Sequence, residues 1–439
     1  MREEGHEGRP SAAAQGLVSF RRMTMTITAT TAIKEGHFWA YARFYILPAL
    51  GLLACAALIV GGAAMWQIAL LFLAVFFLGD LVLGNDDREY HYAHPWIFYA
   101  MMYSVVPIIL VAFALFCWVV RQATAPGDFL GIAALVQSLT GFDMIAAHAS
   151  DGALEYLGAT AALAVATVNG AIVIGHELTH RTEQPFSFFM GRLGEAFSMM
   201  TYFSIEHPYG HHATVGTDAD PATAVRGESF YHFVWRSIIG QYRNCWHLEA
   251  DRCRKIGAAP YGWRNRLVRS YAMEAAIVLF AFWAAGILGV VLFLINALAV
   301  HVILELANYT EHYGLVRDPV DPVQPRHSWN TNNRATYWYT VGIGRHSHHH
   351  ADASVEFWNL KPFRDAPMYA TGYITAFLMA LVPPLWQRVM TPKLIEWDRH
   401  WANERERELA RQANLHSGIP QLIDAARESV KPHTPAPAV

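Results

Sequence analysis

Leu157-Gly-Ala-Thr-Ala-Ala-Leu-Ala-Val-Ala-Thr-Val-Asn-Gly-Ala-Ile-Val-Ile-Gly175-His176-Glu177-Leu-Thr-His180 decides the fold of this 439-residue chain. The apolar part approaches the roughly 20 residues that a helix needs to cross a bilayer. It runs without a turn signal into two histidines spaced four apart. On a helix, positions i and i+4 share a face, so the end of the span presents two imidazoles to one point. Imidazole ligates iron, zinc, copper and nickel well.

Three further boxes follow: Glu206-His207-Pro-Tyr-Gly-His211-His212, Glu311-His312-Tyr-Gly and Arg345-His346-Ser-His-His349-His350. A lone histidine is more often packed or solvated than metal-bound, but nine in four boxes beside apolar spans point to metal. His207, His211 and His212 are spaced i, i+4, i+5. Neighbouring histidines on a helix diverge by about 100°, so such a pair can serve two metals. His346, His349 and His350 repeat the idea at i, i+3, i+4. With His176, His180 and His312 they make a nine-ligand, two-metal shell. The 176–180 box also has the His-Glu-x-x-His spacing of zinc proteases. Such an enzyme needs only one more ligand and a water, which would leave the other boxes unused. Spacing alone does not choose iron over manganese or copper. Open coordination positions for oxygen suit iron redox chemistry and not zinc.

The composition agrees with membrane insertion: 54% of residues are hydrophobic and 16% charged, against about 25% charged in soluble domains. The net charge of −3 gives no sign of a nucleic-acid partner. Residues 44–64, 66–83, 97–120 and 157–175 read as spans. Residues 271–307 are too long for one crossing and break at Gly286–Gly289, predicting a helical hairpin and six spans in all. Residues 129–147, with Gln137 and Asp143, read as re-entrant or peripheral, and 368–386 as interfacial. Arg21, Arg22, Lys34 and Arg43 place the N-terminus in the cytoplasm. Alternation of six spans then puts all four boxes on the cytoplasmic side, which a seventh crossing would break. The fold expected is an all-α integral membrane bundle of six spans under a cytoplasmic histidine-rich cap. Its organisation is a tail over 1–43, a membrane unit over 44–398 and a charged, then Pro/Ala-rich, tail over 399–439.

Several stretches resemble the integral-membrane alkane 1-monooxygenases, a family of non-haem di-iron hydroxylases. They are Asn308-Tyr309-Thr-Glu311-His312-Tyr313-Gly314-Leu315, Asp220-Pro221-Ala222-Thr223 with Gly227-Glu228-Ser229, His327-Ser328-Trp329-Asn330 and Arg345-His346-Ser347. The resemblance runs over roughly 44–398. Gly314-Leu315-Val316-Arg317-Asp318, Pro383-Pro384-Leu385-Trp386 and Glu406-Arg407-Glu408-Leu409-Ala410 are similar to the sister hydroxylase of xylene monooxygenase. The resemblance implies two iron ions, O2 as co-substrate and hydroxylation of a terminal methyl group. The substrate would be a medium- or long-chain n-alkane, with alkylaromatics, or lipid hydroxylation or desaturation, as alternatives. The expected location is the inner (cytoplasmic) membrane.

Metal-bound imidazoles usually donate their second N–H to a carboxylate or carbonyl. Glu177, Glu206, Asp218, Asp220 and Glu311 are available, and Glu311 and Asp220 lead because they lie in matching motifs. By the same resemblance, Phe72 occupies a position where a bulky side chain limits how deep an alkyl chain enters. The alkane branch usually carries aspartate where this chain has His348, which reads as a supporting group and not a tenth ligand. Asp80 reads either as functional or as a helix-end residue. His301 and His327 are the supporting histidines to watch. The four cysteines form no Cys-x-x-Cys pair and no Gly-x-Gly-x-x-Gly fingerprint is present. Electrons are therefore expected from a separate rubredoxin or ferredoxin with its NAD(P)H-dependent reductase. Arg252, Arg254, Lys255, Arg264 and Arg266 are candidates for receiving an acidic carrier.

Overall fold

The computed structural model describes residues 32–363 and 366–428. Most of the expected N-terminal tail (1–31) and the Pro/Ala-rich end (429–439) lie outside the described residues. The described residues are mostly helical, with a single pair of three-residue parallel strands among them, β1 (Ile33–Glu35) and β2 (Tyr90–Tyr92). Five helices among the described residues are long and apolar enough to cross a membrane: α1 (Phe38–Val60), α2 (Ala64–Val82), α3 (Trp96–Arg121), α4 (Ala153–Thr179) and a 47-residue α7 (Arg266–His312). Between α4 and α7 lie α5 (Pro185–Ala196) and α6 (Phe230–Lys255). After α7 come α8 (His346–Ala351), α9 (Pro383–His400), α10 (Glu404–His416) and α11 (Pro420–Glu428).

The long helices bury one another only in part. α2 leaves Leu70, Leu73, Leu78 and Leu81 exposed, and α7 leaves Leu279, Phe282, Trp283 and Ile287 exposed. Apolar faces of this extent are satisfied by lipid, not by water. Inside, Phe98, Met101, Phe116 and Trp118 of α3 belong to one buried cluster with residues of α1, α4 and α7, and Phe113 packs on Phe280 and Phe293 of the two arms of α7.

α7 is two helices joined at Gly286, where φ is 64° and ψ is −160°. Only glycine adopts that conformation readily. A β-carbon at Gly289 would lie 3.0 Å from the carbonyl oxygen of Ala281. In a straight helix these residues would be about 12 Å apart, so the chain doubles back. Contacts on the two arms confirm it: Glu274 accepts from Thr201 N–H, and Asn296 donates to the Phe197 carbonyl, four residues away. The second arm thereby delivers His312.

Residues 129–147 do not form a span. They fold into short pieces, Phe129–Gly131, Ile132–Thr140 and Met144–Ala147, with Leu130, Leu135 and Leu139 exposed. Residues 368–386 likewise give an eight-residue helix, Tyr373–Ala380, followed by the Pro383 start of α9. α10 begins with a reciprocal cap between Asn403 and Glu406, the expected signature of an Asn followed three residues later by Glu. α10 and α11 pack back onto the protein through Ala410, Ile419 and Leu422.

Candidate metal centre

Four elements bring the histidine boxes together. α4 carries His176 in its last turn, after a π-helical stretch over Asn169–Gly175, and His180 caps its end. Gly175 is required where this stretch meets α5, because a β-carbon would lie 2.8 Å from Gly170 O and 2.9 Å from Glu195 Cγ. The second box forms another π turn, His207–His211. Pro208 has no N–H to give the ladder there. His312 is the last residue of α7, and α8 carries His346, His349 and His350.

Two groups of four result. His176, His180, His207 and His349 have ligand atoms within 4.8 Å of one another, and so do His211, His312, His346 and His350. His212 completes the first group, with its Nε2 3.1 Å from Nε2 of both His207 and His349. Its ring also lies 4.3 Å from that of His350, between the groups. His176 and His349 approach Nε2 to Nε2 at 3.1 Å, as do His346 and His312. Two nitrogens held about 2.1 Å from one ion and about 90–110° apart are about 3.0–3.4 Å from each other. The spacing is therefore that of ligands around an ion, and Nε2 of His180, His211 and His350 is buried without a protein partner. Both groups could hold a metal ion.

Burial, then the neighbouring imidazoles, pushes His180, His207, His212, His346, His349 and His350 well below the usual histidine range. Neutral rings keep the lone pair that ligation requires. His211 is the exception. Burial would lower it, but the Asp220 carboxylate, together with Glu206 and Glu311, outweighs burial and raises it. His211 Nδ1–H donates to Asp220 Oδ2 at 3.0 Å, so Asp220 fixes which nitrogen faces the group. His312 Nδ1–H donates instead to the His327 carbonyl at 3.3 Å. Among the described residues these are the two of the nine rings with a protein acceptor behind them.

The other carboxylates are placed differently. Glu311 has Oε2 3.3 Å from His346 Nε2 and its Oε1 buried without a partner. Glu206 accepts from Asn244 Nδ2 at 3.1 Å and leaves Oε2 unpartnered. Glu177 pairs with Arg181 and accepts from Phe357 N–H, tying the first box to the loop after the last. Asp218 is exposed. His348 stands outside both groups: its Nδ1 accepts from Lys361 N–H at 2.7 Å and its ring packs on Phe363.

A narrow apolar cavity of about 70 Å³ lies between α2, α4, the second arm of α7 and helix Tyr373–Ala380. Phe72 lines it, stacked on Phe76 at 4.4 Å, and Val173, Ala307 and Ile343 line it on the side toward the boxes. Asp80, also in its lining, accepts from Thr336 Oγ1 and Thr375 N–H, joining the end of α2 to Tyr373–Ala380. His301 bonds Tyr242 and its own helix. Of the basic candidates, Arg252 and Arg266 share the single carboxylate of Glu249, and Arg254 pairs with Asp251. Arg264 and Lys255 are exposed, as are Tyr261 and Trp263. Sequence reading missed Glu406 and Arg226, both buried and both bonded to the segments around His312.

The fold and site define an all-helical membrane protein whose helix ends gather nine imidazoles into two buried groups. The fatty acid desaturase family model matches residues 152–379, more than half of the sequence and the part that carries all four boxes. The chain belongs to that family. It is 37% identical over 239 residues to alkane 1-monooxygenase 1 of Pseudomonas aeruginosa, covering 53% of this chain and 62% of that protein. Against the alkane 1-monooxygenase of Pseudomonas putida it is 36% identical over 244 residues, 54% of this chain and 60% of the relative. The xylene/toluene monooxygenase hydroxylase component XylM of Pseudomonas putida is 31% identical over 269 residues, 61% of this chain and 72% of that protein. The match thus spans a little under two thirds of the alkane-oxidising relatives.

Proposed function

We propose that the protein is an O2-dependent hydroxylase of terminal methyl groups, acting on n-alkanes at a di-iron centre. The observation that carries the reading is the convergence of nine imidazoles, most through Nε2, into two adjacent buried groups. The balanced reaction is R–CH3 + O2 + 2e⁻ + 2H⁺ → R–CH2OH + H2O. Two iron ions bound by these groups would supply the redox chemistry that activates O2. His176, His180, His207, His212 and His349 would hold one, and His211, His312, His346 and His350 the other. The chain's own contribution is positioning and exclusion of water. Asp220 keeps the His211 proton on Nδ1. Glu311 Oε1, buried and unpartnered, is placed to take or give a proton beside the second group. The cavity walls orient an alkyl chain with its end toward the boxes, and Phe72 limits its depth.

The finer topology belongs to the same reading. The reversal at Gly286 divides α7 into two crossings, giving six, with the boxes on the cytoplasmic side of the inner membrane. Residues 44–398 form the hydroxylase unit. Electrons come from a rubredoxin or ferredoxin and its reductase. A second reading, methyl hydroxylation of alkylaromatics, is favoured by the greater coverage of XylM. Membranes holding the protein and an electron carrier with its reductase are supplied with octane, hexadecane and p-xylene, and the products identified. A primary alkanol supports the first reading, methylbenzyl alcohol the second, and an alkene would indicate desaturation. No oxidation by metal-loaded protein that accepts electrons refutes the hydroxylase.

A further inference from the structure

We propose that the C-terminal helices, which lie beyond the segment matched by the family model, set the geometry of the second imidazole group, with Glu406 as the positioning residue. The inference rests on the metal reading above.

The direction of His312 Nε2 depends on what its Nδ1–H meets, and it meets the His327 carbonyl. His327 is fully buried and held from both sides. Its Nε2–H donates to Glu406 Oε1 at 2.7 Å, and its Nδ1 accepts from Gln324 N–H at 3.0 Å. The preceding residue is held by the same carboxylate: Arg326 Nε donates to Glu406 Oε2 at 2.8 Å and Nη2 to Oε1 at 3.0 Å. Trp397 Nε1–H donates to the Arg326 carbonyl at 2.7 Å. Glu406 thus fixes two consecutive residues, and the carbonyl of the second receives the ligand's proton.

The other side of His312 is gripped from the same segment. Arg226 Nε donates to the carbonyl of Gly314, two residues after the ligand, at 2.8 Å. Its Nη atoms donate to both oxygens of Asp398 and to Asn414 Oδ1. Gly227 lies so close to α10 that a β-carbon would be 1.9 Å from Ser417 O. Apolar packing would suffice to attach two helices. Buried ion pairs contribute little net stability, and registry is their best-attested use. Two such pairs, one on each flank of His312, fit a positioning role.

The test uses the purified full-length protein loaded with cobalt(II) alone, whose visible spectrum reports ligand geometry. Wild type is expected to bind two cobalt ions per chain. Glu406→Ala should weaken one of the two sites about tenfold, at the lower end of what loss of an outer partner causes, and shift the absorption of that site alone. Glu406→Gln, which keeps an acceptor oxygen for His327, should restore much of the affinity. The exposed Glu408→Ala should change neither site. Should Glu406→Ala not accumulate, Glu406→Asp, which withdraws the carboxylate by one methylene, must show a smaller shift at the same site. Wild-type affinity and spectrum in a folded Ala or Asp variant overturn this proposal alone. Equal weakening of both sites, not relieved by Gln, overturns it as general damage. Wild type that binds no cobalt overturns the metal reading itself.

Discussion

Asp220→Asn is nearly isosteric and removes one charge, yet it is expected to disable a ligand. The Asp220 carboxylate accepts three kinds of proton: His211 Nδ1–H at 3.0 Å and Thr223 Oγ1–H at 2.6 Å on Oδ2, and Ala222 N–H at 3.0 Å on Oδ1. An amide cannot serve all of them. If its nitrogen faces His211, two donors oppose each other. The imidazole must then move its proton to Nε2, where the lone pair is needed for metal. If the amide turns over, its nitrogen faces Ala222 N–H, and a buried backbone donor goes unsatisfied at a cost of about 1–3 kcal/mol. Both outcomes also lose the charge-assisted bond that holds His211.

Outer partners of this kind are worth about 10–100-fold in metal affinity, or about 1.4–2.8 kcal/mol at about 1.4 kcal/mol per tenfold. The loss should appear in one group only. Anaerobic titration with iron(II) or cobalt(II) against a competing chelator would show one site weakened and one retained. His180→Ala is expected to give the complementary pattern. Affinities within twofold of wild type at both sites, with an unchanged spectrum, would refute the argument that Asp220 sets the tautomer of His211.

Phe72→Ala removes the stack on Phe76 and lengthens the apolar cavity, so the product profile should move toward longer alkanes, read by gas chromatography of alcohols. His348→Ala should leave metal stoichiometry unchanged, whereas His346→Ala should lower it, measured by elemental analysis of purified protein. Gly286→Ala meets open space but an unfavourable backbone conformation, so it should destabilise the hairpin by about 1–3 kcal/mol, seen as a lower midpoint of thermal unfolding in detergent. Burial would raise Glu406, but hydrogen bonds from His327 and Arg326 outweigh it and hold the carboxyl at about 2 against an ordinary 4.5. Its contribution is therefore complete above about pH 4.5 and falls away as pH drops toward about 2. Protease cleavage within 404–416 should rise over that window, and less so in Glu406→Gln.

What the sequence made legible was local. Spacings of four between His176 and His180, or three and four among His346, His349 and His350, fix which rings share a helix face before any packing is known. The break in α7 was legible because a mostly apolar stretch of 37 residues, 271–307, exceeds one bilayer and contains Gly286 and Gly289 near its middle. The π turns before His176 and at His207 were not, since they come from close approach of Gly175 and Gly170 to α5 and from the missing N–H of Pro208. Nor does any local pattern connect Glu406 to His327, 79 residues earlier. In sequence the run Glu404 to Glu408 has the form of a solvated helix start, and Asn403 with Glu406 has the form of a cap. Both descriptions hold, because the oxygen that caps Asn403 N–H belongs to the same carboxylate that reaches His327.

That double use explains why charge patterning alone misjudges this segment. On α10, Arg405, Arg407 and Glu408 are exposed, while Glu406 is buried. A carboxylate is taken out of water only where donors replace its hydration. Here Arg326, His327 and Asn403 supply four bonds between them. His327 is pushed below the usual histidine range, burial outweighing the pull of Glu406, so the ring donates as a neutral group and Arg326 alone balances the charge. A neutral His327 has one proton, and acceptance from Gln324 N–H at Nδ1 requires it to sit on Nε2. The ring therefore cannot turn over without losing both bonds, and its carbonyl stays where His312 needs it. The same logic of one proton and two opposed partners governs His211 beside Asp220. Each of the two ligands with a protein acceptor behind it is thus locked by a carboxylate, directly in one case and through an intervening histidine in the other.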